Sequence, residues 1–287
     1  MTREPSTPEG PPEGPLGASS TAAPPPKRYR ALEDGGGPAI AIVDAPNVVL
    51  RLVPGVAVDV TGLKRFGRQT IFLDGAYTGG PFYDNETRQY SLDHHADCVR
   101  AFTLATCEQA AVVLVQGIPI AEGRWTLVVN DPDLDALLAA WVLMNHEDLR
   151  RDGWRLLKVA MPLLRLEGVV DAHGFGREML AALPDELLEV QSGHLESLMQ
   201  PLRVLKASGS GETAELVDLV LTELEAIDEI LLPPAVRNRG LGAKEVARVR
   251  LRGGRIAVLC ASRVGIFEVE EQLRVRYGEQ LGLVLLD

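Results

Sequence analysis

The sequence predicts an α/β protein in which a largely parallel sheet is flanked by helices, followed by a helical segment and a small C-terminal α/β unit. Short apolar runs at 70–73 and 126–129 have the length of buried strands, and the second run leads directly into the helical pattern of 135–144. Strands that alternate with helices in this way are typical of a parallel sheet with crossover helices. Residues 176–232 instead carry mostly helical patterns, which end at Pro233-Pro234.

The individual elements follow from the apolar periodicity. In the core, we expect strands at 39–43, 48–53, 56–60, 70–73, 88–92 and 126–129, and helical patterns at 99–115 and 135–144. The helical segment contains amphipathic runs at 178–183, 187–199 and 214–232. The C-terminal unit is expected to form a strand, a second strand, a helix and a third strand at 246–251, 256–260, 267–277 and 281–286.

Changes in composition set the domain boundaries. Nine of the 19 prolines lie within residues 1–38, among Gly, Ser and Thr. Such a segment buries too little apolar surface to offset its ordering entropy, so residues 1–37 are predicted to be a disordered Pro/Gly-rich tail. Its basic run, Lys27-Arg28-Tyr29-Arg30, is expected to be solvated. The rest divides into a core at 38–175, a helical segment at 176–234 and the C-terminal unit at 235–287.

Composition excludes several classes of function. The chain has 29 Lys and Arg against 40 Asp and Glu, a net charge of −11, which opposes avid non-specific binding to nucleic acid. Three cysteines are too few for a disulfide scaffold and fit a reducing compartment. No apolar run reaches membrane-spanning length and none resembles a signal peptide, so we expect a cytoplasmic protein that does not enter a membrane.

Asp93-His94-His95 forms the first candidate site. These residues follow a predicted strand, and open α/β sheets bind their ligands at the carboxyl edge of the strands. Two imidazoles beside a carboxylate are costly to bury without partners, and this mixture of donors suits Mn, Mg, Co or Zn. The alternative is a surface turn with two exposed histidines.

The acidic run Asp131-Pro132-Asp133-Leu134-Asp135 forms the second candidate site, between a strand and a helix. Asp133 or Asp135 would serve as the N-cap of that helix. Three acids within five residues exceed what capping needs, however, and they repel one another unless a cation is bound. An EF-hand loop is excluded because Ala136 stands at the required Gly position and Val142 at the position of the bidentate Glu.

Asp74 and Asp171 are expected to complete this site. Each follows an apolar run and is predicted as a carboxylate at the end of a strand, with His173 two residues beyond Asp171. Together with the two motifs they would give a carboxylate-rich site able to hold two cations, the arrangement that clamps the attacking and leaving oxygens in phosphoryl hydrolysis. A plain turn residue is the alternative at each of these two positions.

Asp93-His94-His95, followed by a helix that carries Thr106-Cys107-Glu108-Gln109-Ala110, resembles the signature of the DHH phosphoesterase superfamily. The run from Asp131 to Ala140 resembles that family's Asn-Pro-Asp-x-Asp-Ala motif, and the resemblance covers about residues 70–175. It implies two Mn²⁺ or Mg²⁺ ions. Asp133 and Asp135 would each bind a different ion, and Asp74 would bridge the two. His94 would ligate one of the ions, and Asp171 would be the last carboxylate ligand. It also implies catalytic roles for His95, which would face the substrate phosphate, and for Asp93, which would orient the histidines.

The chain departs from the family pattern in three ways. The Asp-x-Asp motif follows Asp-His-His instead of preceding it, which would require a circularly permuted core. The histidine usually found upstream of Asp-x-Asp is absent around Val129 and Asn130, so His173 would have to substitute. The family's Gly-rich substrate motif has only Arg252-Gly253-Gly254-Arg255 as a counterpart, which makes Arg252 and His173 weak candidates for binding substrate.

The expected function is a metal-dependent phosphohydrolase that cleaves a phosphodiester or phosphoanhydride bond through a water activated by two metal ions. Its substrate would be a phosphate-containing small molecule or a short nucleic acid, and a homodimer is left open. One alternative is a catalytically degenerate DHH-like module that binds a nucleotide or a protein. Another is a zinc hydrolase that acts on amides or esters.

Overall fold

The computed structural model describes residues 28–35, 37–43, 45–151, 153–174, 183–208, 213–237, 244–261 and 266–286. The strands of its main sheet are β1 Tyr29–Asp34, β2 Gly37–Ile42, β3 Val48–Leu52, β4 Thr70–Leu73, β5 Phe82–Asp84, β6 Gln89–Leu92 and β7 Trp125–Val129. They lie in the order β1-β2-β3-β7-β4-β6-β5.

The centre of this sheet is parallel. β7 lies between β3 and β4, and β4 pairs in turn with β6, all in parallel register. Leu73 is the register partner of Leu92, so the residues that follow them, Asp74 and Asp93, leave the sheet at the same edge. The outer pairs β1–β2, β2–β3 and β5–β6 are antiparallel. The prediction of an α/β fold with a largely parallel central sheet is confirmed.

A layer of helices covers one face of the sheet. Its members are α1 Thr106–Val115, α2 Leu134–Met144, α3 His146–Arg151, α4 Arg155–His173, α5 Asp185–Ser208 and α6 Thr213–Leu231. Every residue of α2 is buried, as expected for a helix that is apolar on all sides. α1, α4, α5 and α6 pack around it. Along β7, Leu127 and Val129 face this helical core, whereas Val128 faces the other side.

The opposite face of the sheet is covered by the segments between β3 and β4 and between β4 and β5. Val58 and Tyr77 pack there against Phe72 of β4. The strand predicted at 56–60 is wrong, because within it only Val58 forms an isolated bridge, to Tyr77. A short 3-10 helix, Gly62–Arg65, follows. Of the three valines in the predicted strand, only Val58 packs on the sheet, since Val56 and Val60 are 58% and 66% exposed.

The C-terminal unit has its own small core. After α7 Pro234–Arg237, it consists of β8 Lys244–Arg250, β9 Ile256–Ala261, α8 Ile266–Tyr277 and β10 Leu281–Leu286. β9 lies between β8, to which it is antiparallel, and β10, to which it is parallel. This order of elements agrees with the sequence-based expectation. In the described part of the chain, no helix combines the length and the apolar character needed to cross a membrane.

The N-terminal boundary is corrected by the structure. β1 lies inside the predicted disordered tail, and Tyr29 is 1% exposed. Arg28, expected to be solvated, is paired with Asp148 at 2.8 Å and with Asp228 at 2.9 Å. The prediction was wrong for residues 28–35, where Arg28 finds two acids far along the chain, the half-buried Asp148 and the buried Asp228, while Arg30 is exposed. Residues 1–27 lie outside the described part.

Two helix boundaries near the candidate site also differ from the prediction. The helical pattern of 99–115 becomes helix only from Thr106. Asp171 lies in α4 and not at the end of a strand, because the apolar run before it packs as one face of a helix. Of the helical run predicted at 178–183, only residue 183 belongs to the described part of the chain.

Candidate metal centre

Three neighbouring strands deliver polar residues to one edge of the sheet. β4 is followed by Asp74, β6 by Asp93, His94 and His95, and β7 by the turn that opens α2 with Asp135. Because the three strands are parallel neighbours, their carboxyl ends meet at this edge, where open α/β sheets bind ligands. The register of the sheet therefore brings together side chains that are far apart in the sequence.

His94 lies at the middle of this group and is completely buried. Its Nε2 atom is 2.9 Å from Oδ2 of Asp171, 3.4 Å from Oδ2 of Asp135 and 3.5 Å from Oδ1 of Asp74. Neither ring nitrogen meets the angular requirements of a hydrogen bond with any described group. One imidazole nitrogen thus faces three carboxylate oxygens from different parts of the chain and forms a well-aligned hydrogen bond with none of them.

His95 lies at the open side of the group. Its side chain is 36% exposed, and its Nε2 atom is 2.9 Å from Oδ1 of Asp74. The same Asp74 oxygen accepts a hydrogen bond of 3.0 Å from the hydroxyl of Thr106, the first residue of α1. Asp74 has a φ of 48°, in the left-handed region that few residues with a side chain adopt. Its contacts on both sides hold it in this strained conformation.

Asp135 and Asp133 have different structural roles. Both carboxylate oxygens of Asp135 accept backbone N–H groups at the start of α1, from Thr106 and Cys107, each at 2.8 Å. Asp135 therefore fixes α1 against α2 while facing His94. Asp133 is the N-cap of α2, and its Oδ1 accepts the N–H of Ala136 at 3.0 Å. Asp133 thus serves the capping role that was the alternative for this position.

Asp171 reaches the group from α4. Besides facing His94, its Oδ2 accepts a hydrogen bond of 2.5 Å from Arg100. One helical turn earlier, Glu167 is 3% exposed, and its Oε2 has no partner in the described part of the chain. Asp133, Glu167 and Asp171 line a cavity of about 290 Å³ beside the group. This cavity extends the acidic surroundings beyond the residues that face His94.

The charges in the group shift one another's protonation. Burial by itself lowers the pKa of His94, but the carboxylates of Asp135, Asp171 and Asp74 outweigh burial and raise that pKa to about 12. Burial raises the pKa of Asp74, yet the two imidazoles outweigh it and hold that pKa well below its usual range. Burial and the surrounding acids, led by Asp135, raise the pKa of Glu167 well above its ordinary value. The group as a whole therefore attracts positive charge.

Asp93 organises the loop that carries the histidines. Its side chain is fully buried. Oδ1 accepts the N–H groups of Gly75 at 3.0 Å and His95 at 3.1 Å, and Oδ2 accepts that of Ala96 at 3.2 Å. Asp93 thus ties the turn after β4 to the turn after β6. In the structure it acts as a positioning residue for this loop.

The donor types fit a divalent cation. Two overlapping groups have ligand atoms within 4.8 Å of one another: Asp74, His94 and His95, and His94, Asp135 and Asp171. Carboxylate oxygens with one or two imidazole nitrogens suit Mn²⁺, Zn²⁺ and, less well, Mg²⁺. Nε2 of His94 lies at ion-pair distance from three carboxylates without a well-aligned hydrogen bond to any of them, and this arrangement of donors fits a cation held among them.

The other predicted site residues lie outside this group. Asp133 caps α2 and borders the adjoining cavity. His173 is exposed at the end of α4. The side chain of Arg252 lies outside the described residues, and its backbone belongs to a 3-10 turn before β9. Sequence reasoning missed Arg100 and Glu167, since single polar residues without a motif give no signal of their own. Thr106 was noted only as part of the helix that follows Asp93-His94-His95, and not as a partner of Asp74.

No protein-family model, curated protein or solved structure matches this chain. The site is therefore interpreted from its own geometry and chemistry.

Proposed function

We propose that the protein is a metal-dependent phosphohydrolase whose centre is the group around His94. The observation that carries the proposal is the approach of one buried imidazole nitrogen to three carboxylates within 3.5 Å. Three acids at such short range repel one another strongly unless a cation neutralises them. A parallel sheet edge is also where α/β proteins hold their ligands.

Asp74, His94, Asp135 and Asp171 are the residues that would hold the cation. Bound divalent cations would lower the pKa of a coordinated water and neutralise charge on a phosphoryl oxygen. His95, at the open side of the group, would contact the substrate phosphate or assist the leaving group. Asp93 would act only through the backbone of the loop that it holds.

The number of cations that the group could hold depends on how many ligand atoms each ion would find. The two overlapping ligand groups share the single nitrogen Nε2 of His94, and one nitrogen binds one ion. A second ion would need Asp74 as a bridge, together with acids of the adjoining cavity such as Asp133. We propose two Mn²⁺ or Mg²⁺ ions, with a phosphate-containing small molecule or a short nucleic acid as substrate.

The test compares the full chain with two matched histidine variants. After metal removal and addition of Mn²⁺, we expect the wild type to retain stoichiometric metal by elemental analysis and to hydrolyse bis(p-nitrophenyl) phosphate or pyrophosphate. His94→Ala is expected to lose both properties. His194→Ala, on α5 and outside both ligand groups, is expected to keep both. Equal turnover by His94→Ala and the wild type would overturn the proposal.

A second candidate is a metal-free binding module. It is favoured by the positive charge already present, because Arg100 is paired with Asp171 and the pKa of His94 is raised to about 12. These two groups offset part of the acidic charge without any ion. A wild-type protein that binds neither Mn²⁺ nor Zn²⁺ in the same elemental analysis would favour this candidate over the phosphohydrolase.

A further inference from the structure

Arg100 lies in the loop between β6 and α1, directly beside the metal centre. Its NH2 atom is 2.5 Å from Oδ2 of Asp171. The same oxygen is 2.9 Å from Nε2 of His94. Arg100 and His94 therefore share one carboxylate oxygen, and this oxygen is one of those that would ligate a cation.

A guanidinium and a divalent cation compete for such an oxygen. Both carry positive charge, and at the separations of this site the repulsion between them is only partly screened. Loading the centre with metal therefore weakens the contact between Arg100 and Asp171. The guanidinium then needs another anionic partner, or it turns towards solvent.

Arg100 has an unused donor and is partly open to solvent. Its side chain is 38% exposed, so an anion can approach it from outside. Its Nε atom is buried and has no hydrogen-bond partner in the described part of the chain. A guanidinium offers a planar set of N–H donors that matches two oxygens of one phosphate. Arg100 thus has an unused donor beside the one that it gives to Asp171.

Arg100 and His95 are both partly open to solvent beside the centre. Each side chain is exposed over more than a third of its surface. His95 lies next to Asp74 and Arg100 next to Asp171, two acids of the same group. Both side chains therefore offer donors to an anion that reaches the group from solvent.

We propose that Arg100 forms an anion subsite, which binds the phosphate of the substrate once the metal centre is loaded. This inference rests on the proposed phosphohydrolase function. Arg100 exchanges one anionic partner for another: Asp171 in the metal-free protein and a phosphate oxygen in the loaded one. No covalent bond changes in this exchange. Metal binding at the centre would thereby increase the affinity of Arg100 for the substrate phosphate.

The proposal predicts opposite effects on metal and on phosphate. In Arg100→Gln, removal of the competing cation is expected to raise the affinity for Mn²⁺ or leave it unchanged. The affinity of the Mn²⁺-loaded protein for inorganic phosphate is expected to fall by roughly tenfold or more, the usual effect of losing a charge-assisted hydrogen bond. KM for the hydrolysed substrate should rise more than kcat falls. Arg100→Lys should recover part of the phosphate affinity.

The experiment uses titration calorimetry of the full chain with Mn²⁺ and then with inorganic phosphate. The control is Arg124→Gln, which directly precedes β7 at the amino end of that strand and whose side chain is 59% exposed. Lower Mn²⁺ affinity in both Arg100 variants would assign Arg100 a structural role and overturn the inference. If the wild type turns over and Arg100→Gln has unchanged phosphate affinity and unchanged KM, the inference about Arg100 is overturned. The phosphohydrolase proposal would be unaffected by that result. A wild type without metal or turnover would overturn both.

Discussion

Nε2 of His94 lies 2.9 Å from Oδ2 of Asp171, although one residue follows a strand and the other lies near the end of a helix. This contact ties the helical layer to the carboxyl edge of the sheet. It also means that α4 contributes to the centre as directly as the strands do. Changes in how α4 packs should therefore affect both the stability of the protein and the geometry of the centre.

Gly168 allows this close packing of α4. A Cβ atom at position 168 would lie 2.6 Å from Oε2 of Glu108 and 3.1 Å from Cβ of Ala105. Gly168→Ala is therefore expected to destabilise the protein by about 1–3 kcal/mol, the usual effect of overpacking. Gly193→Ala, at an exposed position of α5 with nothing within 4 Å of the added Cβ, should instead stabilise by up to about 1 kcal/mol. Urea unfolding of both variants measures the difference, and a stabilised Gly168→Ala would contradict the packing argument.

Asp93 gives a second prediction. Asp93→Asn keeps the shape of the side chain but replaces one acceptor oxygen with an amino group, which cannot accept a backbone N–H. We expect a loss of about 1–2 kcal/mol of stability and a fall in Mn²⁺ affinity of roughly tenfold, as for residues that orient metal ligands. The exposed Asp97→Asn is the control. Normal Mn²⁺ affinity in Asp93→Asn would mean that the loop holds the histidines without this carboxylate.

Arg28 gives a prediction about the N-terminal strand. Asp228, whose side chain is 4% exposed, accepts hydrogen bonds from Arg28, Tyr29 and Trp141. Arg28→Ala leaves this buried carboxylate without its cation, so we expect a loss of about 3 kcal/mol in the free energy of unfolding. The exposed Arg30→Ala should change it by less than about 0.5 kcal/mol. Denaturant unfolding checks both, and equal stabilities of the two variants would show that the ion pair contributes little.

Glu223 gives a prediction about pH. Its side chain lies in α6, the residue is 2% exposed, and burial raises its pKa from 4.5 to about 7. The folded protein therefore holds this proton more tightly than the unfolded chain, and stability falls as pH rises from about 4.5 to 7. Glu223→Gln removes this dependence and should be more stable than the wild type by up to about 3 kcal/mol at pH 8.

The measurement for Glu223→Gln is urea unfolding at pH 5 and pH 8. The advantage of the variant should shrink towards pH 5, where the wild-type carboxyl is protonated in the folded state. Glu229→Gln, exposed on the same helix, should show no such trend. A pH-independent difference between Glu223→Gln and the wild type would mean that packing, and not ionisation, accounts for it.

Much of the fold could be predicted because it depends on local patterns. The apolar runs at 70–73, 88–92 and 126–129 are strands in the structure, shifted by one residue in two cases. Their alternation with helices implied a parallel sheet, and the acids after them were predicted to meet at its edge. Asp74, His94 and Asp135 do so because each directly follows a strand or opens the next helix.

Other features depend on contacts that no local pattern records. Arg28 was predicted to be solvated because Pro and Gly dominate its surroundings in the sequence, yet its partners Asp148 and Asp228 lie far along the chain. Asp171 was predicted after a strand, since a short apolar run fits a buried strand and a buried helix equally well. Arg100 and Glu167 belong to no motif, and only their neighbours in space distinguish them.

The sequence by itself determined most of the strands and helices and the edge at which Asp74 and Asp93 emerge, because periodicity and chain direction are local properties. Only the tertiary structure decided which acids face His94. Asp133 turns back to cap α2, whereas Asp171 arrives from α4 in its place. The physical reason is that a buried carboxylate pairs with nearby N–H donors that have no other partner. Which donors are nearby is fixed only when the helices pack on the sheet.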